Sequence, residues 1–302
     1  MTTVYIKHHP SHAGRWIYNG YYSAWEQSGY EVKYYNNLSD IKDTNYYLMA
    51  IDSDLSKEVL PTIDKSIRTF LFVRPTFFPK HWGRHENFCF NKSHDLIEAV
   101  NKMQNVIKWT FCETDNNQYF EKWGKVRTVP LAYDNINYKY EKNDKLNFDV
   151  CFVGGWANNG FDEKRRIMIS WMKPFIDSGL KCGFFINRGV SHDFESQLLA
   201  NSKVAINIHD AYQQELGLDT NERTFKSLGL NGLLVTDDID QIRKYFPNIA
   251  VARTPEAMLK EVLDYVKMED DERAKIKQSN IEMISKDHTY VNRVNQFLSF
   301  KL

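Results

Sequence analysis

Residues 221–238, NERTFKSLGLNGLLVTDD, set an arginine at the mouth of a short helical pattern, then a glycine-marked turn, an aliphatic strand and two aspartates. Arg223 presents a planar fork that fits phosphate oxygens in pairs. Asn221 stands where a helix N-cap belongs, Thr224 adds a hydroxyl, and free N–H groups at a helix start favour anions. This is chemistry for holding a diphosphate; a capped surface helix with solvated charge is the plainer alternative. A second stretch, VGGWANNGFDEKRR, puts Gly154 and Gly155 straight after a strand, where glycine admits a ligand close to the backbone. Lys164 and Arg165 open the next helix, either reaching toward phosphate or lying on a solvated face. His209 and Asp210 end the strand VAINIHD, available to a ligand or as a loop-capping pair. Asp237 and Asp238 end LLVTDD, and Asp238 also suits the cap of a helix from Ile239.

Metal chemistry has little support. His8, His9 and His12 crowd a strand end, and His81 and His85 lie four apart in PTFFPKHWGRHENF. Proline and glycine there argue against the helix that such ligand spacing needs, so no metal is expected. Arg74, Lys80, Arg84 and His85 mix positive charge with aromatic rings, a combination suited to a polyanion. Cys89, Cys112, Cys151 and Cys182 stand singly, with no CxxC pair, and read as reduced structural thiols of a cytoplasmic protein.

The elements that must position these groups follow from a chain of 302 residues, enough for two domains of about 150 each. Its 39 basic and 39 acidic residues cancel, which speaks against a nucleic-acid surface as the primary role. No apolar run reaches the roughly 18–20 residues of a membrane span, and the N-terminus lacks a signal-peptide layout. Strand and helix patterns alternate throughout, implying α/β organisation with parallel sheets covered on both faces. Residues 1–134 form a first Rossmann-like domain, 135–147 a Lys/Asn-rich linker, 148–285 a second Rossmann-like domain, and 286–302 a final helix expected to cross back to the first. Within this scheme SKEVLPTIDKSI and TDNNQYFEKWG are expected to be helices, as is NERTFKSLGL. Ligands of doubly wound sheets bind at strand carboxyl ends, which for two such domains means the cleft between them.

From residue 126 onward the pattern resembles the C-terminal half of the GT-B glycosyltransferases of group 1 type, most closely the CgeB-like, spore-maturation branch. The pieces are VRTVPLAYDNINYKY, FDVCFVGGW, SKVAINIH followed by NERTFKSLGLNGLLVTDD, RKYFPNIAVARTPEAMLKEVLDYVKMEDDERAKI and HTYVNRV. Their order and spacing cover somewhat over half the chain. The resemblance implies transfer of a sugar from a nucleotide-sugar co-substrate, expected to be UDP-linked, without a further cofactor or a metal. It places the leaving diphosphate at Arg223, Asn221, Thr224, Gly154, Gly155 and Lys164, with His209 and Asp210 beside it and Asp237 on the donor-sugar hydroxyls. The family carries Glu directly after the Phe of this core, for the ribose hydroxyls. This chain has Lys226, which cannot accept a hydrogen bond, so Glu222 is the candidate for that contact.

The acceptor side falls to the first domain, where an inverting reaction needs a general base. His12, Asp52 and Glu113 are the candidates, with Gly14, Arg15, Arg74 and His85 beside the acceptor. The acceptor is a protein, a glycan, a small molecule or a hydroxymethylated base of phage-type DNA; the Asn/Lys/Tyr-rich composition fits a phage, and then the host cytoplasm. Two readings of another class stay open: a non-catalytic sugar-nucleotide-binding or coat-associated protein, favoured by Lys226, and a nucleic-acid-binding protein. A sugar-nucleotide epimerase on the same architecture is a third.

Overall fold

The computed structural model describes residues 2–76, 93–115, 118–139, 143–155 and 162–301. Contacts divide the chain into two units, Met1–Pro130 with Tyr290–Leu302, and Leu131–Thr289. The division thus leaves the segment from Leu131 with the second unit and assigns the chain from Tyr290 to the first.

The first unit is built on six parallel strands: β1 (Thr3–Lys7), β2 (Glu31–Tyr35), β3 (Tyr46–Ile51), β4 (Arg68–Phe72), β5 (Val106–Thr110) and β6 (Arg127–Thr128). They lie in the order β2-β1-β3-β4-β5-β6. Helix α1 (His12–Gln27) crosses from β1 to β2, and α2 (His94–Asn101) leads into β5. Ser11 caps α1 by accepting the Gly14 N–H at 3.0 Å, and Ser93 caps α2. Ile17, Tyr21 and Ala24, spaced i, i+4 and i+7 along one face of α1, are buried. That spacing is the amphipathic signal that made the helix readable.

The second unit holds β7 (Val150–Gly154), β8 (Cys182–Ile186), β9 (Val204–Asn207), β10 (Leu234–Asp237) and β11 (Ala250–Ala252), all parallel, in the order β11-β10-β9-β7-β8. Its helices are α3 (Asp162–Ile176), α4 (His192–Asn201), α5 (Ala211–Leu216), α6 (Glu222–Leu230), α7 (Asp240–Tyr245), α8 (Pro255–Lys267) and α9 (Asp270–Asp287). Every residue of β9 and β10 is buried, as in a sheet covered on both faces. The last helix, α10 (Tyr290–Ser299), packs in the first unit. There Phe297 meets Trp109 and Phe70 with ring centres 4.9 and 5.0 Å apart, and Arg293 Nε donates to the Pro130 carbonyl at 2.8 Å.

Three local expectations change. The stretch 56–67 forms no α-helix: the β3–β4 connection carries only 3₁₀ turns at Asp52–Asp54 and Leu60–Thr62. Pro61 removes an N–H and constrains the residue before it, so the apolar spacing there is not realised. TDNNQYFEKWG reduces, in its described part, to one 3₁₀ turn, Glu121–Trp123, closed by Gly124 at φ 65°. Between Asp210 and Gly217 an additional helix, α5, appears. Asp210 and Gln213 form its capping box, and Gly217 ends it in the left-handed conformation. Cys112 and Cys151 are buried free thiols and Cys182 is a half-buried one, whereas Cys89 lies outside the described residues.

In each sheet the strand order reverses beside the first strand of the unit, between β1 and β3 and between β7 and β9. Connections leave these switch points in opposite directions and open a crevice at the strand carboxyl ends.

Candidate functional site

Arg223 lies in the first turn of α6, and its side chain spans the switch point of the second sheet. Nε donates to the Val153 carbonyl of β7 at 2.6 Å and Nη1 to Asn207 Oδ1, at the end of β9, at 2.7 Å. The guanidinium carbon sits 4.7 Å from the centre of the Phe152 ring. Both acceptors are neutral, and among the described residues no carboxylate pairs with this cation. The glycine pair makes the approach feasible. A methyl group at Gly154 would stand 2.6 Å from Arg223 Nη2, and one at Gly155 would run into the Asn187 amide oxygen. Asn187, at φ 53°, donates its N–H to the Gly154 carbonyl at 2.9 Å and so holds the turn.

From Arg223 a chain of hydrogen bonds leads inward. Asn207 Nδ2 donates to Asn221 Oδ1 at 3.0 Å and to Thr224 Oγ1 at 2.9 Å. Thr224 Oγ1 is 2.6 Å from Thr220 Oγ1, which is 2.7 Å from His209 Nε2. His209 Nδ1 lies 2.5 Å from Asp237 Oδ1, and the His209 N–H and Gln214 Nε2 donate to the same carboxylate, at 3.0 and 2.6 Å for Oδ2. Asn207, His209, Thr220, Thr224 and Asp237 are all buried. Burial alone raises the Asp237 pKa, but the His209 ring and the converging donors outweigh it and hold the carboxyl below its ordinary range. Asn221 occupies the N-cap position of α6, yet its side-chain oxygen takes the Asn207 amide instead of a helix N–H.

Two lysines, one expected on a solvated face or at phosphate and one standing where the family carries Glu, prove buried. Lys164 Nζ donates to the Ile208 carbonyl at 2.8 Å and lies 3.0 Å from Asp210 Oδ1; burial holds its pKa below the usual lysine range, with Asp210 opposing. Its neighbour Arg165 is exposed. Lys226 Nζ donates to Glu195 Oε1 of α4 at 2.6 Å, with Glu222 Oε1 at 3.8 Å. Position 226 is thus a buried tie between α4 and α6, and the half-buried Glu222 carboxylate sits one turn nearer the helix start. Asp238 pairs with Arg243 and with Arg253 (3.1 Å) and does not cap α7, whose N-cap is Ile239.

The candidates in the first unit are placed less uniformly. Asp52 is buried and accepts the Arg74 N–H at 2.8 Å, with Arg74 Nε and Nη2 each 2.7 Å from its other oxygen. His12 is the first residue of α1 and half-buried; Gly14 and Arg15 follow in its first turn rather than in a loop, because Ser11 caps the helix there. Gly14 has no space for a Cβ beside the His9 ring, and Arg15 is exposed. Glu113 follows β5 and is half-buried. His85, with Lys80 and Arg84, lies outside the described residues. No group of three or more His, Cys, Asp or Glu among the described residues is arranged to hold a metal, and none of their helices is long and apolar enough to cross a membrane.

The structure therefore gathers Gly154, Gly155, Lys164, His209, Asp210, Asn221, Arg223, Thr224 and Asp237 at the carboxyl end of one sheet. Sequence reasoning missed Asn207, Thr220, Gln214 and Asn187. Asn207 carried one usable signal, a lone amide inside the apolar strand VAINIH.

The sequence profile of the glycosyl transferase-like family matches residues 156–299, just under half of the chain. A search of curated protein sequences found no match. Among solved structures, T4 phage BGT, the phage's β-glucosyltransferase, in complex with its UDP-glucose substrate superposes with a TM-score of 0.61 at 10% identity, covering 100% of this chain and 98% of that one. The same enzyme with UDP and Mn²⁺ gives 0.61 at 12%, covering 100% and 99%. The OtsA apo structure gives 0.59 at 10%, covering 99% and 98%. The chain has the GT-B fold of two parallel sheets flanked by helices, and its second half matches the glycosyl transferase-like family.

Proposed function

We propose that this protein transfers a glycosyl group from a UDP-linked sugar to a hydroxyl acceptor, with the donor diphosphate held at the switch point of the second sheet. The observation that carries this is Arg223, a cation fixed across β7 and β9 by neutral acceptors and, among the described residues, left without a counter-charge. As the bond from the anomeric carbon to the β-phosphate oxygen breaks, negative charge collects on the diphosphate. The Arg223 fork and the free N–H groups opening α6 stabilise that charge where it develops. Gly154 and Gly155 let the phosphates approach the backbone, and Glu222, steered by Lys226, accepts from the ribose hydroxyls. Asp210 faces the sugar, while His209, Asp237, Thr220 and Thr224 hold Asn207 and thereby orient Arg223.

UDP as the nucleotide is supported by the UDP-glucose seen in the T4 phage enzyme of like fold. In the first unit Arg74 occupies both oxygens of Asp52, so His12 and Glu113 are the better bases for the acceptor proton. The motifs quoted above support the CgeB-like branch, and the free thiols support a cytoplasmic setting, the host's if the chain is viral. The charge of the leaving group is met by Arg223 and Lys164, so no metal is called upon.

Thermal denaturation with UDP, UDP-glucose and other nucleotide sugars tests the assignment. A ligand that binds only the folded state raises the melting temperature by mass action. UDP compounds are expected to do so in wild type and not in Arg223→Ala, and slow hydrolysis of the donor is expected to continue in EDTA. No shift with any nucleotide would overturn the donor site, and activity abolished by EDTA would overturn metal independence.

A further inference from the structure

The first sheet has its own switch point, and a cavity of about 620 Å³ opens there. It exists because two crossovers that ordinarily carry helices do not. The β2–β3 and β3–β4 connections contain only 3₁₀ turns, at Leu38–Asp40, Asp52–Asp54 and Leu60–Thr62, and residues of both line the cavity. The floor is Lys7, the last residue of β1. Its Nζ lies 2.7 Å from Asp54 Oδ1, donates to the Asn36 carbonyl at 2.5 Å, and stands 5.3 Å from the centre of the Tyr35 ring. The Tyr35 hydroxyl donates to Asp54 Oδ2 at 3.0 Å. Asn37, Ser39 and Thr62 line the cavity with amide and hydroxyl groups, and Tyr46 adds an aromatic ring.

Charge decides what such a floor can hold. The Lys7 and Asp54 side chains are 18% and 13% exposed, so they compensate each other in a poorly solvated place. An anion would have to displace Asp54 from Lys7, and a cation the reverse; either leaves a half-buried charge unpaired. A neutral ligand with hydroxyls close together keeps the pair intact: one hydroxyl accepts from the ammonium while its neighbour donates to the carboxylate. The size, the mixed donors and acceptors and the single aromatic wall suit a small hydroxylated ring.

The geometry points to a binding pocket for a neutral saccharide ring in the first unit, with Lys7 and Asp54 as its recognition pair. It is a separate site from the one proposed for the donor and does not depend on that reading.

Saturation-transfer NMR on the full chain tests it, with methyl glucoside, methyl galactoside and methyl N-acetylglucosaminide as probes. At least one glycoside is expected to bind wild type, to bind Asp54→Asn and Lys7→Met about tenfold more weakly or worse, and to be blocked by Ser39→Trp and Thr62→Trp. These last two stand at exposed positions and leave the pair and the core in place. Binding is also expected to survive Arg223→Ala and saturating UDP. No transfer to any of the three in folded wild type would overturn the pocket. So would transfer that persists in both tryptophan variants, or transfer that UDP displaces, which would put the sugar at the second sheet.

Discussion

The two switch points occupy the same place in their sheets and each holds a cation, Lys7 at the end of β1 and Arg223 reaching in from the first turn of α6, yet they are electrostatic opposites. At the second, Arg223 is anchored by a backbone carbonyl and an amide oxygen, and no carboxylate among the described residues meets its charge. At the first, Lys7 is matched by Asp54 at 2.7 Å. Topology places a crevice in both units, but counter-charge decides whether that crevice suits an anion or a neutral molecule. The support beneath them differs too. Arg223 rests on buried groups from β9, α6 and β10, whereas Lys7 sits among turns.

Breaking the contrast within α6 should have the largest effect. Lys226 is matched by Glu195, three residues after a cation that no carboxylate among the described residues pairs with. Lys226→Met strands Glu195 in the interior and should cost about 3–5 kcal/mol in urea denaturation, most of it recovered by Lys226→Met with Glu195→Leu. Arg223→Ala leaves the Val153 carbonyl and the buried Asn207 Oδ1 without their donor and should cost about 1–2 kcal/mol, yet it should also lower turnover by about a hundred- to a thousandfold and abolish the UDP-dependent rise in melting temperature. A variant that kept the UDP response would erase the distinction between the two sites.

The support beneath Arg223 has a pH signature. Asp237 titrates below its unfolded value, so the unfolded chain binds the proton first as pH drops. Its contribution is therefore complete above about pH 4 and is lost as pH falls through the lower, folded value. Asp237→Asn should lower neutral-pH stability by about 2 kcal/mol and flatten the acid limb of a pH–stability curve. An unchanged limb would show that the carboxylate is not what holds the network. The smallest effect belongs to the first switch point. Lys7→Met strips the poorly solvated Asp54 of its cation while the Tyr35 hydroxyl still donates to it, and should cost about 1 kcal/mol, with the UDP response untouched.

Much of this organisation was legible in the chain. The alternation of strands and helices gave both sheets, and the cap Thr254-Pro255 marked the start of α8, with Thr254 accepting the Ala257 N–H. Arg223 was readable because a cation at a helix start after a buried strand is a local pattern. Its consequences were not local. The His209 partner, Asp237, is 28 residues away, and Lys226 finds Glu195 across 31 residues. Such pairings follow from which helices and strands pack together, so Lys226 looked like a lost ribose contact when it is a buried tie. Lys7 gave no signal either, because a lysine at a strand end is most simply solvated. The 56–67 stretch misled in the other direction, since its apolar spacing is helical but Pro61 breaks the ladder.

The helix-free crossovers of the first unit also set how freely this protein can vary. Residues 36–45 are mostly exposed, and 52–67 are exposed or half-buried apart from Asp52, Leu55, Ile63 and Ile67, so away from those four, substitutions and small insertions change little of the core. Asn207, His209, Thr220, Thr224 and Asp237 are buried and mutually bonded, so almost any replacement leaves a donor or acceptor stranded. A saturation library selected only for folding should therefore keep these five positions nearly fixed while the loops around Lys7 diversify. New specificities can be tried at the first switch point without disturbing the second.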